Sequence, residues 1–468
     1  MQRACLIAAF VAVPGAAFAD HVSLHALVAG DLALTDNEFA VPSNDNPEAD
    51  VYLDIRPGIM LSSEGSKFID QLIAQAELIE YARHAESPTY NAYGTWKGIV
   101  LPGPRTDMTF EVDGSTGEVN SLSARSSADQ ATIQVAPSGP TAIRSASAFE
   151  NMGYQATRET RVTQTAFAQW TATDDNQPMP TTTNSFSTGI GVGAQRLFRH
   201  DTVGLDVGVT YLRLEEIAPP VTTPNNLGLG SHLQNQVNPR ADVVWLHDFS
   251  RNWSTSLLVG LVYVNQIGID PYEPTLPVAG ATGYPIASAV VAYNDVWGHA
   301  SISAARAVSP DLFIAENTLT DSLTAQAAIP LYWLDPHPSA HDPKLALLGS
   351  VGYLRTDLID SSDSSQTLGS FDVGLVDLGL TWTQSPGRVF GVRYELMIQH
   401  ADSGGSLAEA SFYRDTLYFT FNLRYPDDVE PKLPRVGQSY RSDRSDVAPV
   451  GTEQVVPDPV DPPPADSP

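Results

Sequence analysis

Residues 414–428 read RDTLYFTFNLRYPDD. Tyr413, Leu417, Phe419, Phe421, Leu423 and Tyr425 form one row; Arg414, Thr416, Tyr418, Thr420, Asn422 and Arg424 form the other. Successive side chains of an extended strand point to opposite faces, so this stretch is apolar on one side and hydrophilic on the other. The alternation stops at Pro426, and an acidic tail with ten prolines runs to Pro468. A last strand of this kind needs an apolar medium on one face and water on the other.

The same period of two governs most of the chain. In DTVGLDVGVTYLR (201–213), Val203, Leu205, Val207, Val209 and Tyr211 oppose Thr202, Gly204, Asp206, Gly208 and Thr210. In RVFGVRYELMIQH (388–400), Phe390, Val392, Tyr394, Leu396 and Ile398 oppose Gly391, Arg393, Glu395, Met397 and Gln399. Eighteen such segments are predicted: 22–35, 49–62, 67–83, 89–101, 105–118, 143–157, 160–173, 181–199, 201–214, 235–249, 252–266, 285–294, 297–308, 318–330, 344–357, 369–384, 388–401 and 412–425. They exceed the roughly 5–6 residues usual in soluble sheets. Residues 68–82 also fit an amphipathic helix, and the apolar row of 369–384 changes phase near Val376, which predicts a bulge there. Residues 129–136 are assigned to a loop.

Connections after even-numbered segments are short, and those after odd-numbered ones are usually longer, such as 36–48, 119–142 and 215–234. The exceptions are 335–343 and 84–88. This asymmetry is the layout of a transmembrane antiparallel β-barrel, with short turns on the periplasmic side and longer loops outside. Lipid offers backbone groups no partners, so a spanning sheet must close on itself. The expected fold is therefore all-β: a barrel of about 18 strands over residues 20–425, followed by a proline-rich, acidic periplasmic tail over 426–468. Such a tail cannot pair in a sheet.

Composition agrees with export. MQRACLIAAFVAVPGAAFAD opens with a basic residue, a short apolar run and an Ala17-Phe18-Ala19 cleavage pattern, which predicts a signal peptide over 1–19. Cys5, the only cysteine, lies inside it, so the mature chain has no disulfide and no thiolate metal site. The net charge of −28 argues against nucleic acid as a partner.

No catalytic motif, phosphate loop or dinucleotide fingerprint occurs, and the chain is expected to be a non-enzyme without cofactor. DPHPSAHD offers Asp335, His337, His341 and Asp342 as metal ligands, but its proline-rich setting reads as an irregular loop, and no metal is expected. The hydrophilic rows are the remaining place for function. Lys97, Asp206, Arg393, Glu395, Arg414 and Arg424 are the candidate lumen-lining charges, either setting solute preference or pairing with one another. Segments 9 and 15 end Val209-Tyr211-Arg213 and Val351-Tyr353-Arg355 on the apolar row. There Tyr211, Arg213, Tyr353 and Arg355 suit a membrane interface.

LTDNEFAVPSNDNPEADVYLDIRPGIML (34–61) and LPGPRTDMTF (101–110) resemble the β-barrel porins of Gram-negative bacteria, with a TDN-x-F loop and an x-L-x-x-x-PG strand. Residues 306–331 and 382–400 resemble large barrels that accompany polysaccharide export. The resemblance implies an outer-membrane pore, or a dedicated polysaccharide exporter. Its partners would be outer-membrane lipid, lipopolysaccharide and the assembly machinery, with a periplasmic partner reached through the tail. In that family the last strand usually ends in an aromatic residue that the assembly machinery reads; here Tyr425 is followed by the tail. An outer-membrane enzyme with its site on the external rim, and a soluble exported β-protein, are the alternatives from other classes.

Overall fold

A computed structural model describes residues 21–37, 47–84, 88–119, 141–175, 182–217, 232–268, 281–295, 297–310, 317–334, 344–359, 367–385, 387–401 and 411–426. Its strands are β1 His21–Thr35, β2 Asp50–Gly65, β3 Phe68–Tyr81, β4 Thr89–Gly103, β5 Thr106–Val119 and β6 Thr141–Gln155. Then come β7 Thr160–Asp175, β8 Thr182–Leu197, β9 Asp201–Ile217, β10 His232–Asp248, β11 Trp253–Val264 and β12 Thr282–Asp295. The last six are β13 Gly298–Pro310, β14 Asn317–Pro330, β15 Leu345–Ile359, β16 Thr367–Ser385, β17 Arg388–Ala401 and β18 Phe412–Tyr425. Each strand pairs antiparallel with its sequence neighbours in one 18-stranded sheet. The ladder from Ala26↔Tyr425 to Thr35↔Thr416 joins β18 to β1 and closes the barrel. Closure leaves no unpaired sheet edge along these rungs, which a membrane demands.

Rung partners share a face, so one strand sets the facing of all the others. On β9, Val203, Leu205, Val207 and Val209 are exposed while Asp206 is 1% exposed. The apolar row therefore faces outward and the hydrophilic row inward. The pattern repeats on β1, where Leu24, Val28, Leu32 and Leu34 are exposed and His25, Ala33 and Thr35 are buried.

Two local expectations need comment. Residues 68–82 form β3, not a helix, because β2 and β4 supply ladders along its length. Ile69, Ile73 and Ile79 then face inward and Leu72 and Leu78 outward, a two-sided apolar strand that mimics a helical stripe. The register runs unbroken past Val376, and the irregularities fall instead at the two ends of β16: where Leu358 pairs with Gly369 and Ile359 with Thr367, and between Thr383 and Ser385 against β17. The change in apolar phase arises because Val373 and Leu375 face inward: the inner wall is greasy toward the loop end and polar beyond Asp377. Leu212 and Leu214 do the same on β9. Residues 129–136 and most of the loops 119–142 and 215–234 lie outside the described residues, as do the tail beyond Pro426 and residues 1–20.

Candidate functional site: the inner wall and its two rims

All six predicted lumen charges sit on inward-facing rungs. Arg393 and Glu395 (β17) and Arg414 (β18) converge with Asp377 (β16), which faces Glu395 across the ladder. Arg393 Nη1 lies 3.6 Å from Asp377 Oδ2 and Nη2 3.9 Å from Glu395 Oε2; Arg414 Nη2 lies 3.7 Å from Glu395 Oε1. Arg393 also stands over the Tyr418 ring, its Cζ 4.2 Å from the centroid. Glu395 and Arg414 are almost fully buried. Two cations and two carboxylates so placed offset the cost of removing each from water. This network stitches the last three strands.

Asp206 faces Asp242 across β9–β10, with Gly193 and Gly260 as the next inward residues on either side. Both aspartates are buried, and Arg240 Nε lies 3.8 Å from Asp242 Oδ1. Lys97 is half-buried, between Gln71 on β3 and Glu111 on β5. Arg424 faces inward one residue before the end of β18, opposite Leu27. The six are thus distributed around the wall, and only Arg393, Glu395 and Arg414 are brought together.

Two inner-wall groupings escaped the sequence reading. Arg56 on β2 is hydrogen-bonded to Asp31 on β1 and lies 3.4 Å from Asp54, and nearby Asn91 donates to Glu77 at 2.6 Å. Arg161 on β7 donates to both carboxylate oxygens of Asp107 on β5, at 2.8 and 2.7 Å. The parity of β2 and β5 held the signal for these residues, since Asp54 and Arg56 alternate with Leu53 and Ile55. By contrast, the inward rows of β11–β15 hold Ser, Thr, Ala, Gly, Gln and aliphatic side chains together with Tyr284, Asn294, His299 and Pro330, with no Asp, Glu, Lys or Arg among the described residues. His299 is the one titratable imidazole there. The wall therefore has an uncharged arc and a charged one, in which carboxylates outnumber cations.

The outer surface carries a different rim at each end. Near the short turns the outward row is aromatic: Trp253 against Tyr293 (4.9 Å between centroids), Trp382 against Phe390 (5.7 Å), and Trp245 stacked on His247 (5.5 Å). Phe249, Trp297 and Tyr425 are exposed at the same level. Near the loop end the outward row turns to Tyr, Arg and acid. Tyr211 donates to Asn235 (2.9 Å) and Tyr353 to Asp372 (2.6 Å). Arg213 pairs with Glu215 (3.1 Å), Arg355 with Asp357 (3.2 Å) and Arg306 with Asp321 (2.6 Å). Exposed aliphatic rows lie between the two rims. The aromatic rim went unpredicted although each ring sits within a few residues of a short turn. Among the described residues no group of three or more His, Cys, Asp or Glu could hold a metal; the Asp335, His337, His341 and Asp342 candidates lie outside them.

No family model matches the chain, and no curated protein matches it. Among solved structures it is similar to the ferric citrate transporter FecA in unliganded form (10% identity, TM-score 0.43, 86% of this chain and 79% of that one). It is also similar to the outer membrane protein OpdK from Pseudomonas aeruginosa (11%, 0.42, 86% and 99%) and to OccK2 from the same organism (10%, 0.43, 86% and 98%). At these values the likeness carries no argument about solute or mechanism. The functional reading rests on this chain's own geometry.

Proposed function

We propose that the protein is an outer-membrane barrel for the passage of small hydrophilic solutes, with cations favoured over anions, and not an enzyme. One observation supports this most: a closed 18-stranded sheet turns aliphatic side chains outward between two amphipathic rims and hydrophilic ones inward. Such an outer surface suits hydrocarbon, and a soluble β-protein would have to hide it. A barrel of this strand number is wide enough for an aqueous path. Excess carboxylate on the charged arc raises the local concentration of cations, an effect that added salt screens.

The rims suit the expected partners. Interfacial aromatics belong at headgroup level, and Tyr353 with Arg355 on the external rim faces the phosphates of outer-leaflet lipopolysaccharide. Export through a signal peptide over 1–19 and insertion by the outer-membrane assembly machinery complete the reading. The test is single-channel recording in planar bilayers, using refolded chains 20–468 and 20–426. Discrete conductance from at least one length, with a reversal potential on the cation side under a salt gradient, is expected. Silence from both lengths overturns the conduit.

Polysaccharide export is the narrower alternative, supported only by the resemblance of residues 306–331 and 382–400. Loss of surface polysaccharide on deletion of the gene, with small-solute uptake unchanged, would favour it.

A further inference from the structure

The outward rung that carries the exposed Val209 of β9 runs through Ile190 on β8 and Ala166 on β7 to Glu150 on β6. Glu150 therefore stands on the outer face, five residues from the short-turn end of its strand. At four or five residues from that end, β9, β10, β11 and β13 expose Leu205, Val243, Leu257 and Ile302. A carboxyl group is thus set at the level of hydrocarbon. Gln164 joins it, facing outward on β7 four residues from the short-turn end and diagonal to Glu150 across the ladder.

Neither side chain has a hydrogen-bond or ion-pair partner among the described residues, and both are half-buried. The other outward-facing acids of the strands are answered or stand next to a strand end. The Trp96 indole donates to Asp70 (3.0 Å), Asp321 pairs with Arg306, Glu215 with Arg213 and Asp357 with Arg355. Lipid chains supply no donor, so Glu150 is costly in a lone barrel. A bond to Gln164 within one copy would still leave the second carboxyl oxygen in hydrocarbon. The wall around the pair is low: Gly94, Gly114, Ala146, Ala148, Ala166 and Ala168 all face outward there. Alanines recur on β12–β14, but no unanswered polar side chain stands among them at this depth. The acid and the amide, not the small residues, single out the β6–β7 face.

Symmetry selects the occupant. Glu150 and Gln164 lie at nearly the same height, on the two strands that flank one short turn. A two-fold axis along the membrane normal, passing between β6 and β7, keeps height and exchanges these strands. It sets Glu150 of each copy against Gln164 of the other, so that a Gln164 N–H donates to the facing carboxyl group twice over. Strands β5–β8, about 4.8 Å apart within an apolar band about 25 Å tall, offer on the order of 500 Å² per copy. The total of roughly 1,000 Å² is the least that a specific interface needs, so the two polar contacts decide whether it holds.

We propose that the outer face of β6–β7 is the contact of a symmetric dimer, in which Glu150 and Gln164 of two copies of this chain answer each other. The dimer rests on the reading of the outer row as lipid-facing and is independent of what the lumen carries.

The test uses the absence of cysteine from residues 20–468. Ala148→Cys, one outward position from Glu150, and Val351→Cys, exposed on the opposite wall, are introduced separately into chain 20–468. Each is refolded into phosphatidylcholine vesicles, floated, checked for its heat-induced shift in gel mobility, and oxidised at low protein density. The expected result is a cross-linked pair from Ala148→Cys several times more abundant than from Val351→Cys. Adding Glu150→Leu and Gln164→Leu should cut that pair about fivefold or more, the effect of losing two hydrogen bonds within a membrane. Glu150→Gln, which can still bond Gln164, should keep it. Both leucines face lipid, so the barrel still folds and shows its heat shift. Equal cross-linking from the two cysteines, or a pair that the leucines leave intact, overturns the proposal. In whole cells, an Ala148→Cys adduct whose mass is not twice that of the chain makes another protein the occupant and overturns it as well. A chain that fails to float overturns the membrane reading and the dimer with it; one that floats without cross-linking overturns the dimer alone. Cross-linking needs no current, so this result stands apart from the conductance test.

Discussion

Gly153 on β6 has no side chain, and the guanidinium of Arg161 uses the space. Arg161 crosses over Gly153 from β7 to reach Asp107 on β5, and a Cβ at position 153 would overlap it, its Nε only 2.9 Å away. Gly153→Val is therefore expected to displace Arg161 and strand Asp107, which is 7% exposed, without its cation. The loss should be on the order of 3 kcal/mol, read as a lower urea midpoint of the refolded barrel. Asp107→Asn in the same background should recover part of it, because the two positions are coupled. At the closing strands, Glu395→Gln removes the carboxylate that both Arg393 and Arg414 face. A destabilisation of about 3 kcal/mol is expected in the same assay, and the Glu395→Gln, Arg414→Met pair should be milder than the single change.

Strands read differently at their middles and ends. Val209, in the middle of β9, is exposed on the outward row, and Arg213 lies four residues nearer the loops on the same row. Val209→Arg should cost ~2–4 kcal/mol of folding stability in vesicles, whereas Arg213→Leu should change it by less than about 1 kcal/mol. Equal costs would mean that the hydrocarbon boundary does not lie between them. At the opposite rim, a chain keeping Trp297 as its sole tryptophan should be quenched most by lipids brominated near the headgroup. Strongest quenching from the bilayer centre would remove the aromatic rim from the interface. Element identity was legible along most of the sequence, and each of the eighteen predicted segments corresponds to a strand. Two kinds of detail were not. A strand apolar on both faces, such as β3, is indistinguishable by periodicity from a helix segment. A change of apolar phase, as at Val376, is indistinguishable from a bulge until cross-strand partners are known.

For the molecule as a whole, the sequence predicted inwardness but not companionship. Parity alone put Arg393, Glu395 and Arg414 on the lumen side, yet Asp377 joins them through a neighbouring strand, and no local pattern announces that. The Arg56 and Arg161 groupings needed the full ladder for the same reason. Replacing Asp206 and Asp242 together by Asn should move the reversal potential toward zero, since it removes carboxylates from the cation-favouring wall; no movement would assign the preference to other groups. The segregation of charge has one more outcome. With β11–β15 neutral and the facing arc ionised, the electric field inside is directed across the axis as well as along it. A zwitterion or other permanent dipole is turned sideways as it enters, so two isomers of equal size and net charge, differing only in where their charges sit, should cross at different speeds.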